Sequence, residues 1–175
     1  MLKSIKVDNT IIEMMLFYWQ SSLDKEKVSE QYLNEISQSK QMGYTYDNEF
    51  NGESVRKVLS AITNREPFKS NIKKESRFWN NNMWVMEDME LTNFMVDPIK
   101  KLNLDSFIPT VENSKFEEIE LIFVPGTLET SYVKENKIVV NFFKIAVDYM
   151  DPEKITIENT PFIEYIENLI KSSIA

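Results

Sequence analysis

Residues 118–143 read EIELIFVPGTLETSYVKENKIVVNFF, and the spacing of apolar side chains in this stretch decides the fold class. Ile119, Leu121 and Phe123 alternate with Glu118 and Glu120 until Pro125-Gly126 imposes a turn, which is the period of a half-buried strand. Tyr132 and Val133 precede the polar Lys134-Glu135-Asn136, so a hairpin is expected, with Asn136 in the left-handed region. Ile138 to Val140, followed by Phe142 and Phe143, place apolar groups on both faces, as a central strand does.

Working outward, Ile155 and Ile157 offer one more strand after Asp151-Pro152. A closing helix begins near Pro161 and carries Phe162, Ile163, Ile166, Leu169 and Ile170 on a broad apolar face. Upstream the period changes to that of helices. Ile11 to Trp19 is apolar nearly all round and suits a helix buried on several sides. Asp24 is expected to cap a second helix, with Val28, Tyr32 and Ile36 at spacing four and Gly43 near its end. Val55, Val58, Leu59 and Ile62 form an amphipathic helical face. Pro67 fits a first helical position, with Phe68 and Ile72 on one face of a short helix ending near Trp79. Asn80, Asn81 and Asn82 then favour a turn. Met83 to Val96 fits neither template strictly and leans to helix on its Met and Leu content. Asp97-Pro98 reads as another helix start.

The order is helices, strands, helix. It argues for an α+β fold, with a helical N-terminal part packed on a small, mainly antiparallel sheet and a closing C-terminal helix. At 175 residues the chain is expected to be one globular domain, helix-rich over 1–105 and strand-rich over 106–175. Lys3 and Lys6 lead to Asp8 and Asn9 instead of an apolar run, so no secretory leader is expected. The Ile11–Trp19 run is interrupted by Glu13 and falls well short of the roughly 20 residues that cross a bilayer. A cytoplasmic protein with no membrane partner is the expectation.

The chain has no cysteine and no histidine. Thiolate nucleophiles, sulfur-based metal sites and imidazole acid–base chemistry are therefore excluded. With only Gly43, Gly52 and Gly126, no glycine-rich phosphate loop can be built. No catalytic residue, metal site or cofactor is expected. What remains for catalysis is carboxylate pairs, lysine, tyrosine, serine or threonine, and hard cations held by oxygen ligands, each needing a recognisable constellation, and an enzyme is disfavoured on that ground.

Net charge is −8 and unevenly spread. Residues 1–105 hold 14 basic and 16 acidic side chains, whereas 106–175 hold 6 and 12. Between Arg56 and Arg77 stand all three arginines and four lysines against Glu66 and Glu75 alone. Arg56, Arg65, Lys69, Lys73, Lys74 and Arg77 are thus candidates for anion binding, with Lys69, Lys73 and Arg77 at helical spacing. Trp79, Asn80, Asn81, Asn82 and Trp84 are candidates for an interface or for stacking on bases. The plainer reading of the stripe is a solvated face that docks against the acidic second part of the chain. It is preferred, because an overall negative charge repels a polyanion. Glu118 and Glu120 share one face of their strand and are expected in solvent.

The functional expectation is a non-catalytic protein that binds another macromolecule or assembles with itself. One form of it is an inhibitor or immunity-type protein facing a basic enzyme through Glu117, Glu118, Glu120 and their neighbours. The alternative is a phosphate-bearing ligand or nucleic acid on the stripe from Arg56 to Arg77.

Overall fold

A computed structural model describes residues 1–175. A first strand, β1 (Ser4–Asp8), precedes six helices: α1 (Thr10–Leu23), α2 (Glu30–Ser37), α3 (Lys40–Gly43), α4 (Gly52–Thr63), α5 (Lys73–Glu87) and α6 (Met89–Lys100). After them come β2 (Glu118–Val124), β3 (Ser131–Lys134), β4 (Lys137–Asn141), β5 (Ile145–Asp148), β6 (Asp151–Ile157), β7 (Thr160–Pro161) and the closing α7 (Phe162–Ile174). The fold is α+β, and no helix is long and apolar enough to cross a membrane.

The strands form two sheets. In the larger, the order is β1-β2-β4-β3, with β2 parallel to both β1 and β4 and β3 antiparallel to β4. The smaller is the antiparallel ladder β5-β6-β7. β2 is buried from Leu121 to Val124 on both faces, which explains why its alternation stops at Leu121. Phe123 stacks on Phe162 of α7 at 6.1 Å, while α1 and α3 also reach β2. One apolar cluster of 40 buried residues runs from Leu2 to Ile174, so both ends of the chain close on the same core.

Several local expectations are corrected. Strand β1 is absent from the helices-first reading; it is short, and its pairing partner lies more than a hundred residues away. Asp24 ends α1 instead of starting α2. Lys25 takes φ 62° there, and Ser29 caps α2 by accepting from the Tyr32 amide. Pro67 sits in the loop after α4, where Arg65 at φ 56° closes the helix through Glu66 N–H to Ala61 C=O. Asn80 to Asn82 are mid-helix in α5, because the side chains of Asn81 and Asn82 are held by groups from other elements, the Gly126 and Thr127 carbonyls and the Trp19 indole, while Asn82 also donates back to the Phe78 carbonyl. Met83 to Val96 is helical but broken at Asp88, which caps α6 through the Leu91 amide. Pro98 lies inside α6, near its end. In the β3–β4 turn it is Glu135, φ 54°, that is left-handed, not Asn136.

Where β2 ends, Pro125-Gly126-Thr127 is held from within by the buried amide of Asn141. Its Oδ1 accepts from the N–H groups of Gly126 and Phe143, both at 3.0 Å, and its Nδ2 donates to the carbonyls of Thr127 and Glu129. A Cβ at position 126 would lie 2.6–2.9 Å from that carboxamide. Gly→Ala at an unstrained site ordinarily stabilises slightly. Here four hydrogen bonds pin the amide, so Gly126→Ala is expected to destabilise by about 1–3 kcal/mol, as an overpacked core does. The check is the urea unfolding midpoint, and a midpoint at or above that of the unaltered chain contradicts the assignment.

Candidate functional site

Most of the basic stripe is used inside the molecule. Arg56 pairs with Glu53 on its own helix and with Glu30 of α2 at 3.6 Å. Arg65 donates to the Ser22 carbonyl at the end of α1, 3.0 Å away, where a cation is favoured by the helix dipole. Lys74, with only 14% of its side chain exposed, lies between Asp47 and Glu129, the second at 2.8 Å. Glu129 also accepts from Thr127 Oγ1 and the Tyr132 hydroxyl. The charges therefore tie α5 to the strand-rich part of the chain. Hydrogen bonds that Lys74 donates to Asp47 first, then to Glu129, hold its ammonium well above its ordinary range.

The most enclosed charge was missed by the sequence reading. Glu75 on α5 is buried, and its carboxylate takes Ser54 Oγ and Ser70 Oγ at 2.7 Å and Lys57 Nζ at 2.9 Å. It fastens α4, the loop after it and α5 together. Burial alone would raise its pKa, but these three donors outweigh burial and hold the group below 4.5. The only sequence signal is that Glu75 stands alone among cations.

Lys69, Lys73 and Arg77 make no ion pair. Lys73 and Arg77 lie one turn apart on α5, whereas Lys69 precedes the helix, so the three are not one helical stripe. Lys69 lines a polar groove of about 570 Å³ with Phe68, Ser70, Asn71, Ser76 and Asn80. Trp79 forms its wall and also the wall of a second, more apolar groove of about 350 Å³ beside Met83, Met86, Ile62 and Pro67, with Arg65 at the rim. The three asparagines have three fates. Asn80 faces the polar groove, Asn81 donates to the Gly126 and Thr127 carbonyls, and Asn82 is buried. Asn82 accepts from Trp19 Nε1 at 2.9 Å and donates to the Phe78 carbonyl. Trp84 is exposed on the outer side of α5.

Of the acids first expected to face a partner, Glu117 pairs with Lys3 at 3.2 Å. Glu120 sits across the sheet between Lys6 and Lys137. Their charge is largely offset by neighbours, and only Glu118 of that trio is free of an ion pair. No group of three or more acidic side chains is placed to hold a metal ion.

The exposed acidic surface lies elsewhere. At the tip of the β5–β6 hairpin, Asp148 pairs with Asp151 and the two-residue loop is Tyr149-Met150. Tyr149 is 74% exposed and Met150 92% exposed. Neither has positive φ, so the backbone of the turn makes no special demand on residue type. Asp148 braces the loop by accepting from the Met150 amide at 2.8 Å. Beside it, α6 contributes Asp88, Glu90, Leu91 and the exposed Phe94 to a shallow cavity of about 150 Å³. Apolar residues thus stand in water with Asp88, Glu90 and Asp148 lining the same cavity and Asp151 following Met150 in the chain. The residue-level signal in the sequence was an aromatic and a thioether between two aspartates at a turn.

Compared with family models, with curated proteins and with solved structures, the chain has no significant match to any of them.

The buried and paired carboxylates give a pH prediction. Glu75, Glu129, Asp47 and Asp8 all have folded pKa values below their ordinary ones. Their stabilisation is fully present above the unfolded value, 4.5 for the glutamates and 3.8 for the aspartates, and is lost as pH falls through the folded values. The melting temperature should hold from neutral pH down to about 5 and fall steadily below that. Glu75→Gln should cost about 1–3 kcal/mol at neutral pH and flatten the acid-side fall. Thermal melts of both chains across the acid range check this; parallel pH curves would contradict the role given to Glu75.

Proposed function

We propose that this protein works by binding another macromolecule, and that its docking element is the Tyr149–Met150 turn, which engages a basic protein. The observation that carries this reading is the turn itself: two large apolar side chains held in solvent by a braced hairpin, between Asp148 and Asp151 and beside Asp88 and Glu90. Exposed aromatic and methionine side chains supply contact area at an interface, and Met adapts to uneven surfaces. Surrounding negative charge steers a positively charged partner and disfavours acidic ones.

An inhibitor of a basic enzyme is one specific form of this reading. The chain's net charge of −8 supports it, and so does the concentration of acids in residues 106–175. The phosphate-ligand or nucleic-acid alternative has less support. Arg56, Arg65 and Lys74 of its six candidates already hold internal partners, which leaves Lys69, Lys73 and Arg77 for a ligand.

Site-specific photo-crosslinking tests the proposal. A benzophenone side chain placed at position 149 should trap basic proteins from extract of the source cells, and the same probe at Glu117 should not. Changing Asp148 and Asp151 to lysine in the probe-bearing chain should reduce the product by about tenfold or more, the scale of losing two close charge contacts. Equal trapping from positions 149 and 117, or trapping unaffected by the two lysines, would overturn the reading.

A further inference from the structure

The grooves on either side of Trp79 are unoccupied by any side chain of the same copy, and their chemistry specifies a ligand. The apolar one is lined by Ala61, Ile62, Pro67, Trp79, Met83 and Met86, a surface that suits large, adaptable apolar side chains. Its volume of about 350 Å³ lies within the range of ligand pockets. Arg65 and Glu66 line it, Lys69 lines the adjoining polar groove, and Lys73 and Arg77 stand on α5, the helix that also supplies Trp79, Met83 and Met86. Lys69, Lys73 and Arg77 make no ion pair, in a protein that is otherwise acidic. What fits is an exposed apolar segment bracketed by carboxylates.

The chain carries one such segment, Asp148-Tyr149-Met150-Asp151. In its own copy the turn rests beside α6, against Leu91 and Phe94, and does not line either groove. We infer that the turn of one copy docks into the Trp79 groove of a second copy. Tyr149 and Met150 enter between Trp79, Met83 and Met86, and Asp148 and Asp151 meet Lys69, Lys73 and Arg77. Aromatic and thioether groups pack well together, and the charge pairs select this orientation over its alternatives. Because the contact joins two different patches, it closes as a reciprocal pair or continues from copy to copy. It also covers the turn, so self-association and binding of a basic partner exclude each other. This inference rests on the reading of the turn as a docking element.

Sedimentation of two variants and their mixture tests it. Asp148→Lys with Asp151→Lys disables the turn and leaves the groove; Lys69→Gln with Arg77→Gln weakens the groove without creating a partner for the lysine-bearing turn. All four positions are on the surface, and circular dichroism verifies that both chains fold. The unaltered chain should self-associate, less so as salt rises. Each variant alone should sediment as a single chain. Mixed in equal amounts, they should form a two-chain species and nothing larger, since only one intact turn and one intact groove are present. A single-chain species for the unaltered protein up to about 1 mM would overturn the inference, as would self-association unchanged in either variant, or no complex in the mixture. The groove variant separates this from the function proposed above: it should still trap basic proteins through position 149. Trapping without self-association removes only the present inference, and self-association without trapping removes only the other.

Discussion

Everything in this fold depends on the two parallel pairings of β2. Parallel neighbours cannot be joined by a tight turn, so the connection from β1 to β2 is a crossover, and here it contains all of α1 to α6. The register Ile5 with Ile119 and Val7 with Leu121 is what closes that long excursion. A slip of one residue would turn Ile119, Leu121 and Phe123 to the opposite face and undo the contact between Phe123 and Phe162. Burial of each large side chain on β2 contributes roughly 1.5–3 kcal/mol, and the strand offers five such positions, Ile119 and Leu121 to Val124. A five-residue strand near the start of the chain therefore closes the excursion that holds α1 to α6.

The polar interior completes what the strands begin. Asn82 links α5 to Trp19 of α1, Asn141 shapes the loop after β2, and Asn81 clips α5 to that same loop. Lys74 and Glu75, adjacent in sequence, point to different partners: one to Asp47 and Glu129, the other to Ser54, Ser70 and Lys57. Each charge inside has its counter-group, as burial demands. The groups left over define the outside. They are the cations beside Trp79 and the apolar turn between Asp148 and Asp151, and both are held by rigid elements, which favours binding through preorganisation.

The parts of this architecture that local pattern encodes were legible. Val55, Val58, Leu59 and Ile62 do form the inner face of α4, residues 118–124 are a strand, and the helix after Pro161 is α7. What was not legible depends on distant partners. Strand β1 carries only Ile5 and Val7 as apolar markers and exists because β2 is there to pair with it. A run of three asparagines favours a turn by itself, yet the buried indole of Trp19 and the carbonyls of residues 126 and 127 hold it in a helix. The density of cations between Arg56 and Arg77 was visible, but their pairings span up to 55 positions, and spacing along the chain cannot show them. For the same reason the acids of β2 looked free until Lys6 and Lys137 were placed beside Glu120. The Tyr149–Met150 tip escaped notice because apolar residues in a turn resemble the edge of a strand; only their exposure distinguishes them.

Native-state hydrogen exchange, followed amide by amide, tests the dependence on β2 most directly. If the β1 pairing closes the whole helical segment, the bonded amides of β1 should exchange as slowly as those of β2 and β4, all through global unfolding. Exchange of β1 amides orders of magnitude faster, with β2, β4 and the helices still protected, would show that the first strand frays independently and that the fold does not rest on it.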